Sequence, residues 1–170
     1  KNPAMRKELI ECYSGKYAGH SRLADYLKLS NISQSYRSLH EAMDDFEKHI
    51  VFDEGNFVFH RTWNIGRIAS LKTEKGEDKV IIDFAKSRGH EMSLKMAIDS
   101  LMPLSKDHIW VLKAIWPNKK LKDKVKAEPA WALRTIIKSF DNKADLKRVK
   151  AELVPAVLTS SEWNSWSAKA

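Results

Sequence analysis

Asn56-Phe57-Val58-Phe59-His60-Arg61-Thr62-Trp63-Asn64-Ile65-Gly66-Arg67-Ile68-Ala69-Ser70-Leu71-Lys72 is the stretch that decides the fold. Two β-rich runs, 56–60 and 66–72, lie either side of Asn64-Ile65-Gly66, where a sharp reversal is expected with Gly66 free to take positive φ. A third run, 79–84, follows the polar, Gly-containing hairpin loop Thr73–Asp78, and a short fourth is expected around Glu91 and Met92. Strands so short and so closely spaced cannot build a wide sandwich. A small, strongly bent antiparallel barrel over residues 51–103 buries their apolar faces and removes their open edges.

Helical periodicity takes over on both sides. Upstream, Met5, Leu9, Cys12 and Tyr13 share one face of a first helix, and Leu23, Tyr26 and Leu27 point inward from a second. Ser33 is a plausible N-cap for a third, whose stripe is Leu39, Met43, Phe46 and Ile50. Downstream, Leu94–Leu101, Ile109–Ile115, a segment around Trp131–Ile137, Leu146–Leu153 and Glu162 onward read as helices punctuated by Pro103, Pro117 and Pro155. The expected organisation is a helical segment 1–50, the barrel with its helix 51–103, and a helical segment 104–170. Neither end has a clear start or stop signal, and the chain reads as a fragment of a longer protein.

The composition, 43% hydrophobic and 31% charged over 170 residues, is that of a soluble globular protein. With no apolar run of bilayer length and no apolar leader, neither a membrane nor secretion is expected. The one cysteine, Cys12, cannot form an internal disulfide. It points to a reducing, cytoplasmic setting and is expected to be a small buried hydrophobe. The net charge of +8 is uneven. Residues 104–170 carry 14 Lys and Arg against 7 Asp and Glu, and seven lysines between Lys106 and Lys126 face only Asp107 and Asp123. Such a face attracts polyanions, although a solvated lysine-rich face gives the same pattern.

Signals of catalysis are missing. There is no Gly-rich phosphate loop, no Walker lysine and no dinucleotide fingerprint. His90-Glu91-Met92-Ser93-Leu94 begins like a zinc-protease motif but places Leu94 where the second imidazole is required. The histidines lack metal-ligand spacing, and Asp44-Asp45 on a helix point about 100° apart. No enzyme, cofactor, catalytic residue or metal site is expected.

Three binding signals remain. A helix–turn–helix spacing runs from Ser21–Leu29 through Ser30-Asn31-Ile32 to Gln34–Ile50, offering Gln34, Ser35, Arg37 and His40, though ordinary helical-hairpin packing gives the same pattern. The basic run Lys119, Lys120, Lys122, Lys124 and Lys126 is a candidate contact for DNA or RNA. At the barrel mouth, Arg61, Trp63, Asn64 and Arg67 are candidate partner-binding residues, with Trp63 either plugging the barrel end or anchoring a partner.

The barrel stretch resembles the Tudor-like RNA polymerase-interacting domain of CarD-type regulators and the transcription-repair coupling factor. Gly55, Val58, His60, Ile65, Gly66 and Ile68 match its opening motif, and Asn64 replaces the first glycine of the turn. The likeness covers roughly residues 52–103. Trp63-Asn64-Ile65-Gly66, Ile82-Asp83-Phe84, the 90–97 and 107–113 stretches and Glu162-Trp163-Asn164-Ser165-Trp166 are similar to the N-terminal extension of long-form Gre transcript-cleavage factors. The resemblance implies an α+β, mostly helical chain with a small SH3/Tudor-like antiparallel β-barrel flanked by N- and C-terminal helical segments. It implies RNA polymerase as partner, docked through an exposed strand edge, in a non-catalytic accessory region. The alternative is a nucleic-acid-binding module. Gre cleavage depends on the acidic tip of a coiled-coil hairpin, and with no such coiled coil visible here that activity is carried onto no residue.

Overall fold

The computed structural model describes residues 3–169 and divides the chain into two compact units, Lys1–Pro103 and Leu104–Ala170. The first opens with α1 (Pro3–Lys16), α2 (Leu23–Leu29) and α3 (Leu39–Ile50). Strands β1 (Phe57–His60), β2 (Asn64–Glu74), β3 (Glu77–Phe84) and β4 (Ser87–Ser93) follow, then α4 (Leu94–Ser100) and β5 (Met102–Leu104), whose last residue opens the second unit. The sheet order is β4-β3-β2-β1-β5, with β1–β2, β2–β3 and β3–β4 antiparallel.

This is an open sheet, which corrects the expected closure into a barrel: β4 and β5 are its two edges. Register shifts between Ile68 and Ser70 on β2, and between Ile82 and Phe84 on β3, are bulges of the kind that increase local twist. The β2–β3 hairpin is tighter than the sequence implied. Pairing continues to Glu74 and Glu77, and the turn is Lys75-Gly76, both left-handed at φ 51° and 82°.

Gly66 has a different role from the expected one. Asn64 takes the left-handed conformation, at φ 61°, while Gly66 does not. Gly66 is small because a Cβ there would stand 2.6 Å from both Ile82 Cγ2 and Phe84 Cε1. Glycine is required for space, and the reversal runs through Arg61, Thr62 and Trp63, with His60 paired to Asn64.

Helices and sheet of this unit share one core, with Tyr13, Tyr26, Phe46, Phe52, Val58, Ile68, Ile82, Phe84 and Ala97 buried together. The Tyr13 and Phe46 rings stack at 4.2 Å. The inward face of α1 differs from the expected stripe. Arg6 and Tyr13 are buried with Leu9 and Ile10 beside them, while Met5 and Cys12 are exposed, so Cys12 is no core residue. The cause is Arg6, whose guanidinium donates to the carbonyls of Ile32, at 2.9 Å, and Arg37. Those bonds hold the 30–38 segment outside any helix. α3 starts after Ser38, not Ser33, and Gln34, Ser35 and Arg37 lie in the connection. The helix–turn–helix spacing read at 21–50 therefore does not exist in the fold.

The second unit contains α5 (Ile109–Ile115), α6 (Asn118–Ala127), α7 (Pro129–Ser139), α8 (Leu146–Leu153) and α9 (Ser160–Ser167). Its core gathers Ile109, Leu112, Leu121, Val125, Ile136, Leu153, Leu158, Trp163 and Trp166. Side chains cap the starts of α5, α8 and α9. His108 accepts from the Trp110 N–H, Asp145 from the Arg148 N–H, and Thr159 with Glu162 forms a capping box. Trp166 Nε1 donates to the Val125 carbonyl at 2.8 Å, tying α9 to α6. Among the described residues, no helix is long and apolar enough to cross a membrane.

Candidate functional site

The β1–β2 turn lifts Trp63 over the end of the sheet's inner face. Its indole is half-buried between two imidazoles, 4.2 Å from His60 and 4.0 Å from His90, with Phe84 at 5.4 Å beneath. His60 Nδ1 accepts from the backbone N–H of Thr62 at 3.1 Å and of Trp63 at 3.4 Å, which fixes the turn. His90 lies on edge strand β4, paired with Ile82, so the indole abuts the edge. Arg61 and Asn64 are exposed beside it. Arg67 is exposed on β2 but three residues from Asn64, hence on the opposite face. The geometry thus groups Arg61, Trp63 and Asn64 and sets Arg67 apart. His60 and His90 are the members that sequence reading overlooked; a tryptophan three residues past the histidine that ends β1 was the available signal.

The edges are unequal. β4 presents seven residues, Ser87–Ser93, whereas β5 has three, with Pro103, which lacks an N–H, at its centre. Gly89, at φ +63°, donates its N–H to Asp83 Oδ1 at 2.8 Å, leaving His90–Ser93 as the regular part of the edge.

In the second unit the lysine run falls on α6, and each of its five members already has a partner. Lys119 pairs with Asp123 at 2.9 Å and Lys124 with Glu128 at 2.6 Å. Lys122 and Lys126 share Glu162, at 2.9 and 2.6 Å. The Lys126 ammonium, the Thr159 N–H and Lys122 together hold the Glu162 carboxyl down to about 2. Lys120 sits 4.5 Å over the Trp116 ring and Lys124 5.4 Å over Trp131, while the two indoles lie parallel within 4°, centroids 6.1 Å apart. Indoles and ammoniums engage one another. Elsewhere Glu152, buried, receives Lys113 at 2.6 Å, Trp110 Nε1 at 3.0 Å and Arg148 at 2.9 Å. Burial alone would raise its carboxyl, but these donors outweigh that and keep it below the ordinary range. Among the described residues, no group of three His, Cys, Asp or Glu is arranged to hold a metal.

Residues 110–170 match the family model described as the GRAD helix-turn-helix domain. The whole chain is 58% identical, over 170 residues, to part of the GreA-associated domains protein of Treponema pallidum, and 39% identical to part of the transcription elongation factor GreA of Borreliella burgdorferi. It spans 25% and 18% of those relatives' lengths. No solved structure matches it. What the chain resembles, from end to end, is a Gre-associated region, a part of proteins several times its length.

Proposed function

We propose that this region is a non-catalytic docking element of a bacterial, cytoplasmic transcription factor, and that its first unit binds RNA polymerase by accepting a partner strand along β4. The observation that carries the reading is the contact of Trp63 with His90. It places a large, half-buried aromatic anchor against the longer open edge of the sheet. Main-chain hydrogen bonds along His90–Ser93 supply affinity, and the indole with exposed Arg61 supplies selectivity. Return of β5 to the side of β1 is the strand order expected of an SH3/Tudor-like module, which favours the resemblance read from Gly55–Ile68. Similarity along the full chain to part of a protein named a transcription elongation factor supplies the transcription setting.

The test is affinity capture from nuclease-treated bacterial lysate with the chain as bait. Polymerase subunits are expected to be retained, to survive a rise from about 50 to 200 mM salt better than phosphate-mediated contacts would, and to be lost with Trp63→Ala or Arg61→Glu in protein that still unfolds cooperatively. Wild-type chain that captures no polymerase sinks the reading.

A further inference from the structure

The ion pairs of the second unit leave its positive charge in a different place from where the sequence concentrates it. Five of its carboxylates, Asp107, Asp123, Glu128, Glu152 and Glu162, are taken by Lys138, Lys119, Lys124, Lys113 with Arg148, and Lys122 with Lys126. Asp145 is used as the cap of α8, and the seventh carboxylate, Asp141, is exposed and has no ion pair among the described residues. On α8 and the segment leading into it, Lys143, Lys147 and Lys150 are exposed, and among the described residues none has a carboxylate within ion-pair distance. Leu146 and Lys147 share the outward side of the helix with Lys150, one turn on.

That face is rigidly presented. Val149 and Leu153 anchor the inner side of α8 at 2% and 0% exposure, and the Asp145 cap bond is 2.7 Å. We infer that the exposed cations of α8, Lys147 and Lys150, with Lys143 of the segment leading into it, bind the phosphodiester backbone of duplex DNA without reading its sequence. The chemistry selects this occupant. Single-stranded nucleic acid requires open aromatic faces on which bases stack, and α8 exposes only Leu146 and Ala151 beside its cations. The exposed side of α8 likewise has no Asn or Gln to read base edges. Lys147 and Lys150 stand about 5 Å apart along the helix axis, within reach of neighbouring phosphates.

The experiment is fluorescence anisotropy of the 170-residue chain with a labelled duplex of arbitrary sequence, titrated in salt, alongside the matching single strand and poly-glutamate. The triple variant Lys143→Gln/Lys147→Gln/Lys150→Gln is expected to weaken duplex binding at least about tenfold at low salt and to reduce the salt slope by about 2–3. The charge-matched α6 triple, Lys119→Gln/Lys120→Gln/Lys124→Gln, is expected to change it far less. Glutamine keeps α8 helical, and the double variant Lys147→Gln/Lys150→Gln, with an expected slope loss of about 2, decides the matter if the triple fails to fold. Equal losses in the α6 and α8 variants, tighter binding of the single strand or of poly-glutamate, or no duplex binding by the wild type would each overturn the inference. None of these outcomes depends on whether the first unit captures polymerase.

Discussion

Gly66 and Phe84 face each other across β2 and β3 with no room between them for one methyl group, since a Cβ on Gly66 would come within 2.6 Å of the phenyl ring. Phe84 is 1% exposed and belongs to the first unit's core, so it cannot swing aside. Gly66→Ala is therefore expected to destabilise that unit by about 1–3 kcal/mol through overpacking. Gly15 lies inside α1 with nothing within 4 Å of an added Cβ. There the same change is expected to stabilise by roughly 0.5–1 kcal/mol. Urea unfolding of the two variants checks both signs.

Arg6→Met keeps an unbranched apolar stem and removes the guanidinium with its donors. The Ile32 carbonyl, on a residue 1% exposed, then loses its guanidinium partner. A cost of about 1–3 kcal/mol is expected, with faster amide exchange at 30–38 as the local signature. Unchanged exchange in that segment would show that the guanidinium does not hold it.

Glu152→Ala removes the carboxylate shared by Lys113, Trp110 Nε1 and Arg148, while the main-chain carbonyl of residue 152 still accepts from Lys113. Loss of a buried acceptor of charged donors is expected to cost about 2–3 kcal/mol. Glu152→Gln is expected to recover part of this, because one amide oxygen still accepts. Thermal unfolding of the three proteins ranks them.

Acid is expected to weaken the second unit in two stages. Burial pushes the His108 imidazole below its ordinary 6.5, so the unfolded chain takes up that proton first and stability begins to fall as pH drops through about 6.5. Glu152 and Glu162 are both held below 4.5, and Glu162 down to about 2. Their contribution is complete above 4.5 and disappears as pH falls from there towards 2. Melting temperature measured from pH 8 to pH 2.5 follows both stages. His108→Gln is expected to flatten the first and leave the second.

Much of the sheet was legible because strands announce themselves locally. Alternating apolar residues and a Gly-bearing turn located β2 and β3 within a few residues, and the fourth run around Glu91 and Met92 is β4. What the sequence concealed was long-range. A guanidinium from α1 decides where α3 begins, overruling the local promise of Ser33 as a cap. Gly66 was read for its backbone freedom when its neighbours on β3 demand its small size. α6 escaped notice because Leu121 and Val125 are its only buried apolar residues among the lysines. Counting charges along 106–126 located the lysines and missed that Glu162, far along the chain, neutralises two of them.

The parallel indoles of Trp116 and Trp131 have an optical consequence. Chromophores held 6.1 Å apart between two ammoniums are close enough for their excited states to couple, and the coupling vanishes once the rings can turn. The far-ultraviolet dichroism of the helical unit is thus expected to contain a built-in reporter of its native packing. Replacing either tryptophan with phenylalanine is expected to remove that contribution, so the folding of this unit can be followed by light with no label attached.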